Sequence, residues 1–94
     1  MTIENRYDVI TRINDHYGKM SKGQKAISEF IFDHYDQAVF MTAAKLGETV
    51  GVSESTVVRY AMYIGYNGYP EFQRDLEEWV HDKFSSVQKI GAKY

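Results

Sequence analysis

Residues 42–65, TAAKLGETVGVSESTVVRYAMYIG, read as two short helices joined by a sharp turn. Thr42 is placed to cap the first, whose inward positions Ala43, Leu46 and Val50 fall three and four residues apart and so share one face. Gly51 ends that helix, because glycine takes the left-handed conformation without a steric clash, and Val52 can then fold back onto the apolar face. Ser53 opens the second helix. Its hydroxyl can accept from the free backbone N–H groups of residues 55 and 56, and the helix runs to Ile64 with Gly65 as its stop. Val57, Tyr60, Ala61 and Ile64 form the inward stripe, which leaves Glu54, Ser55, Thr56, Val58, Arg59, Met62 and Tyr63 facing outward.

The outward face separates two readings. A helix that exposes small hydroxyls near its N-terminus and an arginine one turn later suits the major groove of DNA, where side chains reach base edges and phosphates. This is a helix-turn-helix arrangement. An ordinary helical hairpin within a bundle would share the same periodicity and glycine turn.

The detailed order of residues resembles the N-terminal domain of RpiR-type bacterial transcription regulators. The matching residues are Met20-Ser21 opening a helix, Ala44 to Leu46 with Gly51-Val52-Ser53, Ser55-Thr56-Val57-Val58-Arg59-Tyr60, and Gly65-Tyr66-Asn67-Gly68-Tyr69-Pro70-Glu71-Phe72, over roughly residues 20 to 76. Two departures stand out. Gly47 occupies a position where such domains usually carry a small alanine; glycine keeps the room for the helix crossing but weakens the helix by about 1 kcal/mol. Met62 and Tyr63 replace the basic residues usual after the Arg-aromatic pair, which weakens the expected phosphate contacts. With the resemblance, the candidate DNA contacts are Thr42, Ser53, Glu54, Ser55, Thr56, Arg59 and Tyr63, joined by Lys22 and Lys25.

Ninety-four residues make one domain, burying roughly 60 to 65% of the unfolded chain's surface. There is no cysteine, hence no disulfide or thiol nucleophile, and no apolar run near the ~18 residues a membrane helix needs. A cytoplasmic, non-membrane protein is expected. The net charge of −2 is unusual for a DNA binder, but Glu71, Asp75, Glu77, Glu78 and Asp82 against Arg74 give residues 71–82 a charge of −4, leaving +2 elsewhere. Lys19, Lys22 and Lys25 form a basic run with no acid between residues 16 and 28, for which a solvated face is the commoner meaning and a DNA contact the other.

Upstream, Ile3, Tyr7, Ile10, Ile13 and Tyr17 predict an amphipathic helix over 3–17, with Asp8 and Arg12 spaced for an i,i+4 pair and Gly18 as its end. Ser21 with Gln24 is a capping-box pattern for a second helix ending near Asp36, with Ala26, Ile27, Phe30, Ile31 and Tyr35 as its stripe. Val39, Phe40 and Met41 read as a core plug beneath the motif. Downstream, Tyr66 to Pro70 is turn chemistry; Gly65-Tyr66-Asn67-Gly68 also resembles the GxxG loop of KH RNA-binding domains, which need flanking strands that this chain does not offer. A last helix from Pro70 to about Phe84 carries Phe72, Leu76, Trp79, Val80 and Phe84 on one side. The expected organisation is therefore an all-α bundle of about five helices over 1–84, with 85–94 beginning a linker.

Enzyme chemistry has no foothold in this pattern. His16, His34 and His81 lie far apart without metal-ligand spacing, Glu77 and Glu78 diverge on a helix, and no cofactor or metal is expected. The reading is a sequence-specific DNA-binding domain, acting on duplex DNA as a homodimer through the N-terminal helix or the Trp79 helix; the alternative is a helical protein-interaction module. The resemblance further implies control of sugar or sugar-phosphate genes, with the signal read in a C-terminal sugar-isomerase-type domain. These residues are thus expected to be a separated DNA-binding half with no small-molecule effector of its own.

Overall fold

The computed structural model describes residues 8–91, with side chains for 8–83. Among them are five helices and no strand: α1 (Val9–Tyr17), α2 (Lys22–Ala38), α3 (Ala43–Val50), α4 (Glu54–Tyr63) and α5 (Tyr69–Gly91). The chain is all-α, as its periodicity implies.

The helix starts are set by side-chain caps. Asp8, Ser21, Thr42 and Ser53 all have extended backbone and accept from the N–H three residues on, and Gln24 closes the capping box by accepting from the Ser21 N–H at 2.9 Å. Helix α1 therefore begins at Val9; Ile3 and Tyr7 lie outside the described residues. Val9 and Ile13 are its buried residues, whereas Ile10 is only partly covered. Asp8 serves as the cap rather than simply as an ion-pair partner, and Arg12 reaches across the fold (below).

Tyr60, Phe72, Ile13, Ile27, Ile31, Leu46, Ile64 and Leu76 fill the centre, each almost wholly buried. Tyr60 and Phe72 meet edge-to-face at 6.0 Å, a favourable aromatic geometry. The Tyr60 hydroxyl is satisfied by the buried Ser28 hydroxyl at 2.8 Å, and Ser28 also bonds the Gln24 carbonyl. Burial of the phenol drives its pKa well above the ordinary tyrosine value.

Three expectations change. Within the Val39–Met41 link only Val39 is a core residue; Phe40 is 82% exposed. The link is held instead through its backbone, since the Tyr69 hydroxyl donates to the Met41 carbonyl at 2.7 Å and Gln73 Nε2 donates to the carbonyls of Val39 and Met41, both at 2.9 Å. Those bonds fix the main chain and let the Phe40 side chain point away. Second, α2 continues to Ala38 through a non-helical residue, His34 (φ −138°, ψ 44°), stacked on Phe30. Third, α5 stays helical to Gly91, beyond the expected end at Phe84, because extending an established helix is far easier than nucleating one and Gln88 and Lys89 are good helix formers.

Candidate nucleic-acid interface

Helices α3 and α4 are the most closely packed pair. Between them Gly51 is left-handed (φ 89°), and the N–H groups of Gly51 and Val52 both donate to the Gly47 carbonyl at 2.8 Å. Two end-carbonyl bonds converge on one acceptor and reverse the chain in three residues. Gly47 is central to this. A Cβ there would lie 2.7 Å from the Val52 carbonyl oxygen and 3.1 Å from that of Ser53. The glycine does more than keep room for the helix crossing, because the backbone of the turn leaves no space for a methyl group without a shift.

Helix α4 divides as its periodicity requires. Val57, Tyr60, Ala61 and Ile64 are buried; Glu54, Ser55, Arg59, Met62 and Tyr63 are exposed. At ~100° per residue, Arg59 lies about 40° from Ser55 around the axis and Met62 about 20° to the other side, so these three share the line facing away from the core. Glu54, Ser55, Val58 and Arg59 border a shallow depression on this face.

At the N-terminus of α4 the Ser53 hydroxyl accepts from the Thr56 N–H at 3.1 Å and also bonds the hydroxyls of Ser55 (3.1 Å) and Thr56 (2.9 Å). Three hydroxyls thus cluster at the exposed end, with Glu54 adjacent, where its negative charge suits the positive end of the helix.

The C-terminus of α4 is held by a residue that sequence spacing does not single out. Arg12 of α1 donates from Nη1 to the carbonyls of Ile64 (3.3 Å) and Gly65 (3.4 Å) and stacks 4.7 Å from the centre of the Tyr66 ring. A cation on the last carbonyls complements the negative end of the helix. Gly65 is left-handed (φ 106°) and its missing side chain leaves space for this guanidinium. The Tyr66 hydroxyl in turn donates to Asp75 Oδ2 of α5 at 2.8 Å. The end of α4 is thereby tied to α1 and α5 together.

The other candidate contacts sit around this core unit. Thr42 is exposed at the start of α3, capping the Lys45 N–H at 3.0 Å. Lys22 is exposed in the first turn of α2, beside Gly23, where a Cβ would come within 3.3 Å of Val52 Cγ1 in the turn. Lys25, three residues on and so about 60° around α2 from Lys22, has its Nζ 5.3 Å from the Tyr17 ring. Tyr63 leans away from the hydroxyl cluster and meets the His16 ring edge-on at 5.2 Å.

A capped helix, a left-handed glycine turn and a second capped helix with a buried inner face and a largely exposed outer one have the form of a helix-turn-helix. The chain belongs to the family described as "Helix-turn-helix domain, rpiR family", whose pattern matches residues 7–83. It is 28% identical over 86 residues to the HTH-type transcriptional regulator HexR of Pseudomonas aeruginosa, covering 92% of this chain and 30% of that regulator. It is 31% identical over 61 residues to the HTH-type transcriptional regulator GlvR of Bacillus subtilis, covering 65% of this chain and 24% of that protein. With YfhH of Escherichia coli it shares 29% identity over 69 residues, or 73% and 24% of the two lengths. The chain thus spans only 24–30% of the length of these relatives. No helix among the described residues is long and apolar enough to cross a membrane.

Proposed function

We propose that this chain binds duplex DNA in a sequence-specific manner by laying the outer face of α4 in the major groove, as the DNA-binding part of a transcription regulator. The observation that carries the reading is the exposed line of Ser55 and Arg59 on a helix clamped on its other face by Tyr60 and at its far end by Arg12. Arg59 can make paired hydrogen bonds to guanine, and the hydroxyls of Ser53, Ser55 and Thr56 can meet base edges or phosphate oxygens. Thr42 and Lys22, at the starts of α3 and α2, are assigned to the phosphate backbone beside the groove; Lys25 and Tyr63 are assigned to flanking contacts. Glu54 is assigned to a base edge, since a carboxylate would repel phosphate.

The domain acts as a homodimer, presenting two recognition helices about 34 Å apart to a symmetric site. It works in the cytoplasm and performs no catalysis. The resemblance to RpiR-type regulators supports control of sugar or sugar-phosphate genes, with any effector bound outside these residues.

The test is a fluorescence titration with duplex DNA at two salt concentrations. Phosphate neutralisation makes affinity fall steeply as salt rises, whereas a helical module that binds protein through apolar surface is nearly salt-indifferent and gains nothing from DNA.

A further inference from the structure

Among the described residues the exposed large hydrophobic side chains are Phe40, Met62 and Tyr63, and two of these are neighbours on α4. Met62 is 53% exposed and sits near the middle of the outward line, between the directions of Ser55 and Val58. Val58, half-buried, borders the same depression as Ser55 and Arg59. The line therefore runs hydroxyl, arginine, thioether from the N-terminus onward. A thioether offers neither charge nor a strong donor, so it has little to give a phosphate. What it can bind in a groove is an apolar group, and the major-groove edge offers one: the 5-methyl of a pyrimidine.

We propose that Met62, flanked by Val58, is a specificity-determining residue that packs on a pyrimidine 5-methyl group, carried by thymine or 5-methylcytosine. This rests on the DNA-binding reading above. At ~1.5 Å rise per residue Met62 is about 4.5 Å beyond Arg59 along the helix, so the methyl belongs one or two base pairs, each ~3.4 Å, from the base that Arg59 meets. The unbranched, flexible side chain adapts to the methyl, and removing the methyl exposes the contact to water.

The experiment begins with selection of a binding duplex from a randomised library by the whole 94-residue chain. The selected duplex is then titrated against versions in which each thymine in turn is replaced by uracil, or each cytosine by 5-methylcytosine, with the native chain, Met62→Ala and Met62→Leu. The native chain should change about fourfold in affinity at one position, a loss where a thymine methyl is removed or a gain where a cytosine methyl is added. Met62→Ala should bind the parent duplex about as weakly as the native chain binds the demethylated one, with no further loss on demethylation. Met62→Leu should keep the sensitivity. The uracil and 5-methylcytosine arms tell which base supplies the methyl. Native affinity that neither falls at any thymine-to-uracil position nor rises at any cytosine-to-5-methylcytosine position, or full sensitivity retained in a folded Met62→Ala chain, overturns the proposal. If the library enriches no duplex, the DNA-binding reading itself fails and takes the proposal with it, a result distinct from binding that ignores the methyl.

Discussion

The two faces of α4 have opposite chemistry on the same ten residues. The inner face is a continuous apolar stripe closed by one hydroxyl pair, Tyr60 with Ser28, so nothing on it is left unsatisfied or wet. The outer face carries Glu54, Ser55, Arg59 and Met62, none of them packed into the core. On the function proposed above, one helix serves stability and recognition through separate side chains. Changes on the inner face should act through folding, and changes at Arg59 and Met62 through binding alone.

The largest expected effect is on the inner face. Tyr60→Ala should destabilise by about 3–5 kcal/mol, which for a domain of this size removes most of its stability, as read by urea unfolding. Tyr60→Phe should cost only about 1 kcal/mol, because Ser28 keeps its bond to the Gln24 carbonyl. Equal losses in the two variants would break the assignment of Tyr60 as a packing anchor.

The same tyrosines give a pH signature. Burial raises Tyr60 and Tyr66, the latter also through its bond to Asp75, and pushes Tyr69 up to about 12. The unfolded chain releases these protons near the ordinary value of 10.0 while the folded chain holds them. The folded state then binds more protons, so this contribution is fully present below pH 10.0 and is lost as pH rises through the folded values. Urea midpoints measured upward from that pH should fall, and they should fall less in Tyr60→Phe.

Gly47→Ala tests the turn that sets the two helices. Alanine should gain about 1 kcal/mol of helix propensity and lose about 1–3 kcal/mol to the overlap with the Val52 carbonyl, a net drop in Tm of a few degrees. A rise in Tm would show that the turn yields readily. Arg12→Ala should cost about 1 kcal/mol and speed amide exchange in the last turn of α4 rather than in α3. Uniform acceleration across the domain would deny it a local role at that helix end.

Much of this division is legible in the bare sequence, because caps and periodicity are local. Ser21, Thr42 and Ser53 announce their helices through bonds reaching only three residues on, and the Val57, Tyr60, Ala61, Ile64 stripe needs only the helical repeat. What stays hidden is long-range. Arg12 and Ile64 are 52 residues apart, and nothing in the spacing of α1 distinguishes an arginine that pairs along its own helix from one that caps another. Phe40 misleads for a similar reason: an apolar triplet looks like core until Gln73 and Tyr69 are found holding its backbone. The methyl-sized clash at Gly47 likewise depends on carbonyls five and six residues on, placed by the turn itself.

That the outer face of α4 recognises DNA through a side chain, Arg59, that contributes little to folding is tested most directly by Arg59→Ala measured in one preparation for both properties. Urea unfolding should move by no more than about 0.5 kcal/mol, because Arg59 is exposed. Affinity for a selected duplex should fall by about 1–3 kcal/mol, with selectivity relaxed at one base pair. A folded Arg59→Ala domain that binds the duplex as tightly and as selectively as the native chain would contradict the account.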